Sequence, residues 1–265
     1  GALYDAGQEV SYSLRLAGAP DETSQATIDY HVIDYEQRQV LQGSLDVALA
    51  QGGANLMLRL PPLDIGYYEL SLTASAQELA HASVTRTFGC LGKLDFNPAQ
   101  DSPIALDAGI SWPFVEGTAG GKGASLPERF HEQAAACYKL GLRTLRDRFD
   151  WGQVNPAPNT ITWGQYQRSV IEQHAAGLDV YQMISNAPLW ALDPSENEEP
   201  KNNYPPSDVR IAYDFHKRMA TELGHFIRYW EFWNEPDIFF YSGHPWDLAA
   251  MTKAGALGIK DADPS

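Results

Sequence analysis

The sequence predicts two domains, an all-β domain over residues 1–93 and an α/β domain over residues 94–265. Two observations predict this division. Up to residue 93, apolar residues recur at every second position in short runs, which is the period of half-buried strands. After residue 94, a helical segment, a glycine and an apolar strand follow one another three times, which is typical of a parallel sheet with crossover helices.

Composition narrows the classes of function. At 265 residues, with 44% hydrophobic and 20% charged residues, the chain has the make-up of a globular protein. The net charge of -15 argues against a nucleic-acid partner or an anionic membrane, because both require a basic surface. No apolar run approaches the length that spans a bilayer. Cys90 and Cys137 make neither a disulfide framework nor a metal site, and whether they pair is left open.

The first domain is predicted to be a β-sandwich of immunoglobulin-like or fibronectin-like type. Its strands are expected at 10–16, 26–34, 38–48, 56–60, 68–72 and 80–88, separated by turn sequences rich in Gly and Pro. A corner at Gly66-Tyr67-Tyr68 agrees with this fold. No catalytic grouping is present, so we expect a structural or docking domain, with a sugar-binding module as the alternative.

The second domain is predicted to start after a linker, Gly89 to Ser102. A strand from Ile104 to Trp112 comes next, followed by a Gly-rich surface loop at 117–123 that lacks the Ser or Thr of a phosphate-binding loop. A capping box at Ser125 then opens a helix that stops at Gly141.

Three further strands are predicted, each directly after a glycine that ends a helix. They are Leu142–Phe149 after Gly141, Asp179–Ser185 after Gly177, and Phe226–Trp233 after Gly224. Ser207-Asp208 is predicted to begin the helix that ends at Gly224. The acidic residues of the loop before it are expected to form a solvated surface; they are Asp193, Glu196, Glu198 and Glu199.

Functional side chains concentrate where these strands end. In a (β/α)8 barrel the active site collects at the C-terminal ends of the strands, where aromatic faces can stack on sugar rings and amide and charged groups can bond hydroxyls. All seven tryptophans lie at or after residue 112. The predicted substrate-binding residues are Trp112, Trp151, Asn186, Trp190 and Trp233, whereas Trp163 and Trp230 are expected to pack in the core.

Residues 104–258 resemble the first half of a clan A glycoside hydrolase barrel and are most similar to glycoside hydrolase family 39. The resemblance rests on Trp230-Glu231-Phe232-Trp233-Asn234-Glu235-Pro236. It also rests on Arg146-Asp147-Arg148-Phe149-Asp150-Trp151 and on the following Asn155 to Trp163. The β-sandwich contributes nothing to it.

The resemblance implies a retaining glycoside hydrolase of an oligosaccharide or polysaccharide, with no metal or organic cofactor. Glu235 is implied as the general acid/base, Asn234 as the group that bonds the sugar 2-hydroxyl, and Arg146 as the neighbour of the nucleophile. Strict strand alternation would send Asn234 and Glu235 to opposite faces. Both can therefore face one site only if the strand end before Pro236 is irregular.

A retaining glycosidase needs a second carboxylate about 5 Å from the first. None of Asp107, Asp147, Asp150 and Asp237 matches the nucleophile motif of the family. We therefore expect a second polypeptide or fragment to carry strands five to eight together with the nucleophile. No signal peptide is visible, and we expect an extracellular or periplasmic protein. The alternative is a non-catalytic carbohydrate-binding protein built on a partial barrel, and an assembly protein that docks a partner through its sandwich is a third hypothesis.

Overall fold

The computed structural model describes residues 2–17, 24–50, 53–76, 82–93, 102–112, 126–193 and 201–263. The chain divides into two compact units, Gly1–Asp95 and Phe96–Ser265. The first unit contains β-strands, and the second contains a sheet and helices. No described helix combines the length and the apolar character that crossing a membrane requires.

The first unit contains seven strands among its described residues. They are β1 (Ala2–Asp5), β2 (Val10–Leu16), β3 (Ser24–Asp34), β4 (Gln39–Leu49), β5 (Ala54–Leu60), β6 (Gly66–Ala76) and β7 (Ala82–Leu91). One sheet has the order β1-β7-β6-β3-β4, and β2 pairs with β5 in a second sheet. The pairings are antiparallel except that β1 runs parallel to β7. All six predicted strands are present, and β1 is additional.

The core of the first unit consists of alternating residues from both sheets. Val10 and Leu58 from one sheet join Ile28, Leu70 and Phe88 from the other in one buried cluster. This arrangement buries one face of each strand, as the period-two pattern predicts.

The first unit has a corner at Tyr68, and its last strand runs further than predicted. The Tyr68 ring stacks on Phe88 at 5.3 Å, and its hydroxyl donates to the Asp64 carbonyl at 3.0 Å, as in a tyrosine corner. The prediction of a linker from Gly89 is wrong at its start, because β7 continues to Leu91 and pairs with both β1 and β6. Cys90 is therefore a buried core residue, and it and Cys137 are free thiols.

The second unit contains a parallel four-stranded sheet and five α-helices among its described residues. The strands are β8 (Ala105–Asp107), β9 (Thr144–Asp150), β10 (Asp179–Ser185) and β11 (Ile227–Phe232), in the order β11-β10-β9-β8. The helices are α1 (Leu126–Lys139), α2 (Trp151–Val154), α3 (Gly164–Ala175), α4 (Val209–Leu223) and α5 (Pro245–Ala262). Each strand pairs with its neighbour in sequence, as crossover helices between consecutive parallel strands produce.

Three details differ from the sequence prediction. A strand through Trp112 is wrong, because β8 ends at Asp107 and a turn follows in which Gly109 has φ +51° and the Trp112 N–H donates to the Gly109 carbonyl. Gly141 and Gly177 have left-handed φ of +88° and +85° and end their helices, as glycine allows. Gly224 has φ -55° instead, and a 3₁₀ turn over Gly224–Phe226 leads into β11.

The other predicted features of the second unit fall into two groups. Asp208 is the N-cap of α4, with its carboxylate accepting from the Arg210 N–H at 2.9 Å. The remaining ones lie outside the described residues; they are the Gly-rich loop at 117–123, Ser125, Glu196, Glu198 and Glu199.

Asp147 links its own strand, β9, to the turn after β8 and to helix α3. Its side chain is 1% exposed and faces the helices, opposite to its neighbours Arg146 and Arg148. The carboxylate accepts from the Ser111 N–H at 3.0 Å and from Ser169 and Gln173 of α3, both at 2.7 Å. A buried carboxylate with this many donors is satisfied and structural.

We expect Asp147→Asn to lower the free energy of unfolding by about 2–3 kcal/mol. The new amide NH2 group cannot accept hydrogen bonds, and it would face the donors that now bond the carboxylate. Urea denaturation followed by circular dichroism measures this loss. Asp214→Asn, at an exposed position of α4, is the matched control and should change stability by less than about 0.5 kcal/mol. Equal stability of the two variants would contradict the structural role of Asp147.

The buried His216 predicts a pH-dependent stability. Its ring is 2% exposed, and burial lowers its pKa to about 4. The unfolded chain, with an ordinary value near 6.5, therefore binds a proton first as the pH falls. Stability should be fully present above pH 6.5 and decrease by about 3 kcal/mol as the pH falls to 4.

Denaturation of the parent protein and of His216→Gln between pH 4 and 7 measures this effect. Glutamine is neutral throughout and keeps an N–H donor for the Ala212 carbonyl, which His216 contacts at 2.6 Å. The difference in stability between the two proteins should shrink as the pH falls. A pH-independent difference would contradict the prediction.

Candidate active site

The C-terminal ends of the four parallel strands surround a cleft of about 80 Å³. The lining comes from the ends of β9, β10 and β11, from the turn after β8 and from α3, and its polar and aromatic residues are Trp112, Arg148, Phe149, Asp150, Tyr166, Ser185, Asn186, Trp233, Asn234 and Phe240. Four of the residues predicted to form a site, Trp112, Asn186, Trp233 and Asn234, are thus brought together.

The backbone at the end of β11 is irregular. Trp233 has φ +72° and Glu235 has φ +41°, both in the left-handed region that bulky residues rarely adopt. The Trp233 N–H still donates to the Ile184 carbonyl of β10 at 2.7 Å, and its indole N–H donates to the Phe240 carbonyl at 2.7 Å. Backbone strain of this kind persists only where the surroundings hold it in place.

This irregularity brings Asn234 and Glu235 together. The Asn234 amide nitrogen lies 3.4 Å from Glu235 Oε2, so strict alternation is broken between them. Glu235 is exposed, and Asn234 is half-buried. A carboxyl group that a ligand can reach is therefore paired with an amide that the protein fixes.

Arg146 fixes that amide. Its Nη2 donates to Asn234 Oδ1 at 2.9 Å and to Glu231 Oε1 at 2.8 Å, while its Nε donates to Glu231 Oε2 at 2.6 Å. Its Nη1 donates to Asp107 Oδ2 at 2.9 Å. The bidentate bond to Glu231 is the strong arrangement for a guanidinium and a carboxylate, and it raises the pKa of Arg146.

Asp107 joins a second arginine to this group. Its Oδ2 also accepts from Arg148 Nη2 at 2.7 Å, and the Arg148 guanidinium lies 4.6 Å from the centre of the Trp112 ring. We call these four charged residues the polar face of the sheet; they are Asp107, Arg146, Arg148 and Glu231. Sequence reasoning missed Glu231, although a lone carboxylate inside the aromatic strand Tyr229–Trp233 was a signal for it.

Asp150 and Asn186 form a further pair at the cleft. Asp150 accepts from Asn186 Nδ2 at 2.8 Å and caps α2 through the Gln153 N–H at 2.9 Å. Burial raises the pKa of Asp150, while these hydrogen bonds act in the opposite direction. Asn186 itself has φ +64° and accepts from the Gly152 N–H through its carbonyl at 2.7 Å. Its amide is thus oriented at the rim of the cleft.

The predicted aromatic platform divides into different environments. Trp112 is 56% exposed at the rim, whereas Trp233 lines the cleft but is buried against Tyr241. Trp190 is half-buried, donates its indole N–H to the Asn155 carbonyl at 2.7 Å, and does not line the cleft.

The assignment of Trp151 to substrate binding is corrected by the structure. Its indole is 1% exposed and stacks on Phe215 of α4 at 4.7 Å. Trp151 is the first residue of α2, and its indole packs against α4 in the core. No ring face is therefore left for a sugar. Trp163 and Trp230 pack in the same core, as expected.

Among the residues that the structure describes, no group of three or more His, Cys, Asp or Glu side chains is placed to hold a metal ion.

Comparison with known proteins gives a likeness of fold. No protein-family model matches the sequence, and no curated protein matches it. A family 39 glycoside hydrolase from the gut symbiont Bacteroides cellulosilyticus is similar with a TM-score of 0.65 and 15% identity, over 99% of this chain and 47% of that one. The chain thus spans about half the length of that protein, and it has a glycoside hydrolase-like fold.

Two other solved structures match more weakly. GH5_18 from Bifidobacterium longum has a TM-score of 0.41 and 15% identity, over 60% of this chain and 41% of that one. A β-glucuronidase from Parabacteroides merdae has a TM-score of 0.35 and 12% identity, over 98% of this chain and 31% of that one.

The different environments of two tryptophans can be tested by the same substitution. Trp151→Ala should lower the free energy of unfolding by about 3–5 kcal/mol, because it opens a cavity in the core. Trp112→Ala should cost less than about 1 kcal/mol, since it removes an exposed ring and one cation–π contact. Urea denaturation of both variants measures the difference, and a small effect at Trp151 would contradict its assignment to the core.

Proposed function

We propose that this chain supplies the proton-donor half of a retaining glycoside hydrolase that acts on an oligosaccharide or polysaccharide. The observation that carries the proposal is the turn after β11, where the exposed Glu235 carboxyl and the fixed Asn234 amide lie side by side. The glycoside hydrolase-like fold supports it at the level of architecture.

Glu235 is the proposed general acid/base. Its exposure leaves room for the glycosidic oxygen that must receive the proton, and a bound sugar would shield the carboxyl from water. Asn234 is proposed to bond the 2-hydroxyl of the sugar, because Arg146 holds its amide oxygen and its amide nitrogen lies beside the Glu235 carboxyl. Hydrogen bonds to that hydroxyl strengthen in the transition state.

The proposed nucleophile is a carboxylate that comes from outside this chain. Among the described carboxylates of the site, Glu231 and Asp107 are held by arginines, and Asp150 caps α2. Arg146 uses four of its five N–H donors on described residues, so one remains for a further carboxylate. That carboxylate would be kept ionised by the same guanidinium.

The proposed source is a polypeptide segment that carries barrel strands five to eight. In the described part of the chain, β8 and β11 are the edges of the sheet and can accept further parallel strands. Parallel sheets are normally covered on both faces, and the polar face needs such a cover to complete a site. Purified active material is therefore expected to contain polypeptide beyond 29.3 kDa, which intact-mass measurement checks.

Glu235→Gln should lower kcat/KM about 100-fold to 10,000-fold on a natural glycoside, because the leaving oxygen loses its proton donor. The kcat/KM for an aryl glycoside with a dinitrophenolate leaving group should largely persist, since that group departs without a proton. Its kcat should fall, because hydrolysis of the glycosyl-enzyme intermediate loses its general base. Kinetics on both substrates with the active material measures the contrast.

The matched control is Glu132→Gln, an exposed carboxylate of α1, which should leave both activities unchanged. Full activity of Glu235→Gln on the natural glycoside would refute the assignment. Saccharide binding without hydrolysis by the complete material would instead favour the non-catalytic carbohydrate-binding protein.

A further inference from the structure

We infer that a second saccharide site lies beside the cleft, in a groove between the N-terminal ends of α4 and α5. This inference rests on the proposed function for its ligand class, a neutral sugar unit of an extended saccharide chain. The groove has a volume of about 530 Å³, within the roughly 300–1,000 Å³ typical of small-molecule sites. Its lining residues lie in the segments Tyr204–Val209 and Ser242–Asp247, together with Asp193, Ala250 and Met251.

An exposed tryptophan provides a platform in this groove. Trp246 is 67% exposed, and its ring stacks on His244 with centroids 4.4 Å apart and an interplanar angle of 18°. Asp247 holds the segment in place, because its Oδ2 accepts from the His244 N–H at 3.1 Å. A supported, exposed indole suits the apolar face of a sugar ring, since an aromatic side chain offers a large contact area with few rotamers to restrict.

The charges of the lining select a neutral ligand. The described lining includes the carboxylates Asp193 and Asp247 but neither lysine nor arginine. A uronic acid or a sulfated sugar would therefore meet like charge, whereas a sugar hydroxyl can donate to the Asp247 carboxylate. Serine hydroxyls complete the polar lining. Ser242 Oγ accepts from Asn203 Nδ2 at 2.8 Å, which leaves its own proton to donate.

The groove and the cleft share one loop. Phe240 lines the cleft, and Ser242, two residues later, lines the groove. The loop is fixed on both sides, because the Phe240 carbonyl accepts from the Trp233 indole and the Ser242 N–H donates to the Asn203 carbonyl at 2.9 Å. Two residues span at most roughly 7 Å, so a saccharide chain that crosses the loop can occupy both places. The substrate is thus a chain of several sugars and not a simple glycoside.

Calorimetric titration tests the inference, with cellohexaose, xylohexaose, mannohexaose and the corresponding disaccharides as probes. The titrations use Glu235→Gln protein, so that hydrolysis does not interfere. Adding Trp246→Ala should weaken binding of the preferred hexasaccharide about tenfold and leave disaccharide affinity unchanged. Trp246→Phe should retain most of the hexasaccharide affinity, because it keeps an aromatic face.

Phe239→Ala is the matched control, since Phe239 is a 73% exposed aromatic of the same loop that lies outside the groove lining. It should change neither affinity. An unaltered hexasaccharide affinity in Trp246→Ala, an equal loss in Phe239→Ala, or no binding of any hexasaccharide would each overturn the inference. Failure of the proposed function would appear differently, as Trp246-dependent binding by a protein with Glu235 that never hydrolyses the bound chain.

Discussion

The guanidinium of Arg146 is the interaction on which the strand-end site depends. It forms ion pairs with two carboxylates from strands at opposite edges of the sheet, Asp107 on β8 and Glu231 on β11, although its own strand pairs directly with only the first. Arg146 and Glu231 are partly buried, and each would carry a desolvation cost without the other. The same group reaches past β11 to Asn234 and so determines how the chain leaves the sheet.

This network divides the functions of the two faces of β9. One face carries Leu145, Asp147 and Phe149, which are buried beneath the helices and hold the unit together. The other carries Arg146 and Arg148, which remain partly accessible and make ion pairs. A period of two residues therefore separates stability from chemistry along one strand. It also explains why the two aspartates of this strand, Asp147 and Asp150, which are an odd number of positions apart, have unrelated surroundings.

Local features were predictable from the sequence because they depend on neighbouring residues. The alternation in Val10–Leu16 and the cap at Asp208 are such features, and the proline after Glu235 correctly indicated an irregular strand end. The partnership of Arg146 and Glu231 was not predictable, since these residues are 85 positions apart and meet only through strand register. The burial of Trp151 was equally hidden, because strand-end position alone does not say whether an indole turns to the rim or beneath a helix.

The distribution of tryptophan has an optical consequence. All seven indoles belong to the second unit, while the first unit contains tyrosine and phenylalanine as its aromatic residues. Emission excited near the red edge of protein absorbance therefore comes from the second unit alone. The buried Trp151 and Trp233 and the exposed Trp112 and Trp246 should emit at different wavelengths within it. The fluorescence of one sample can thus distinguish the two units, and within the second unit it can distinguish buried from exposed tryptophans.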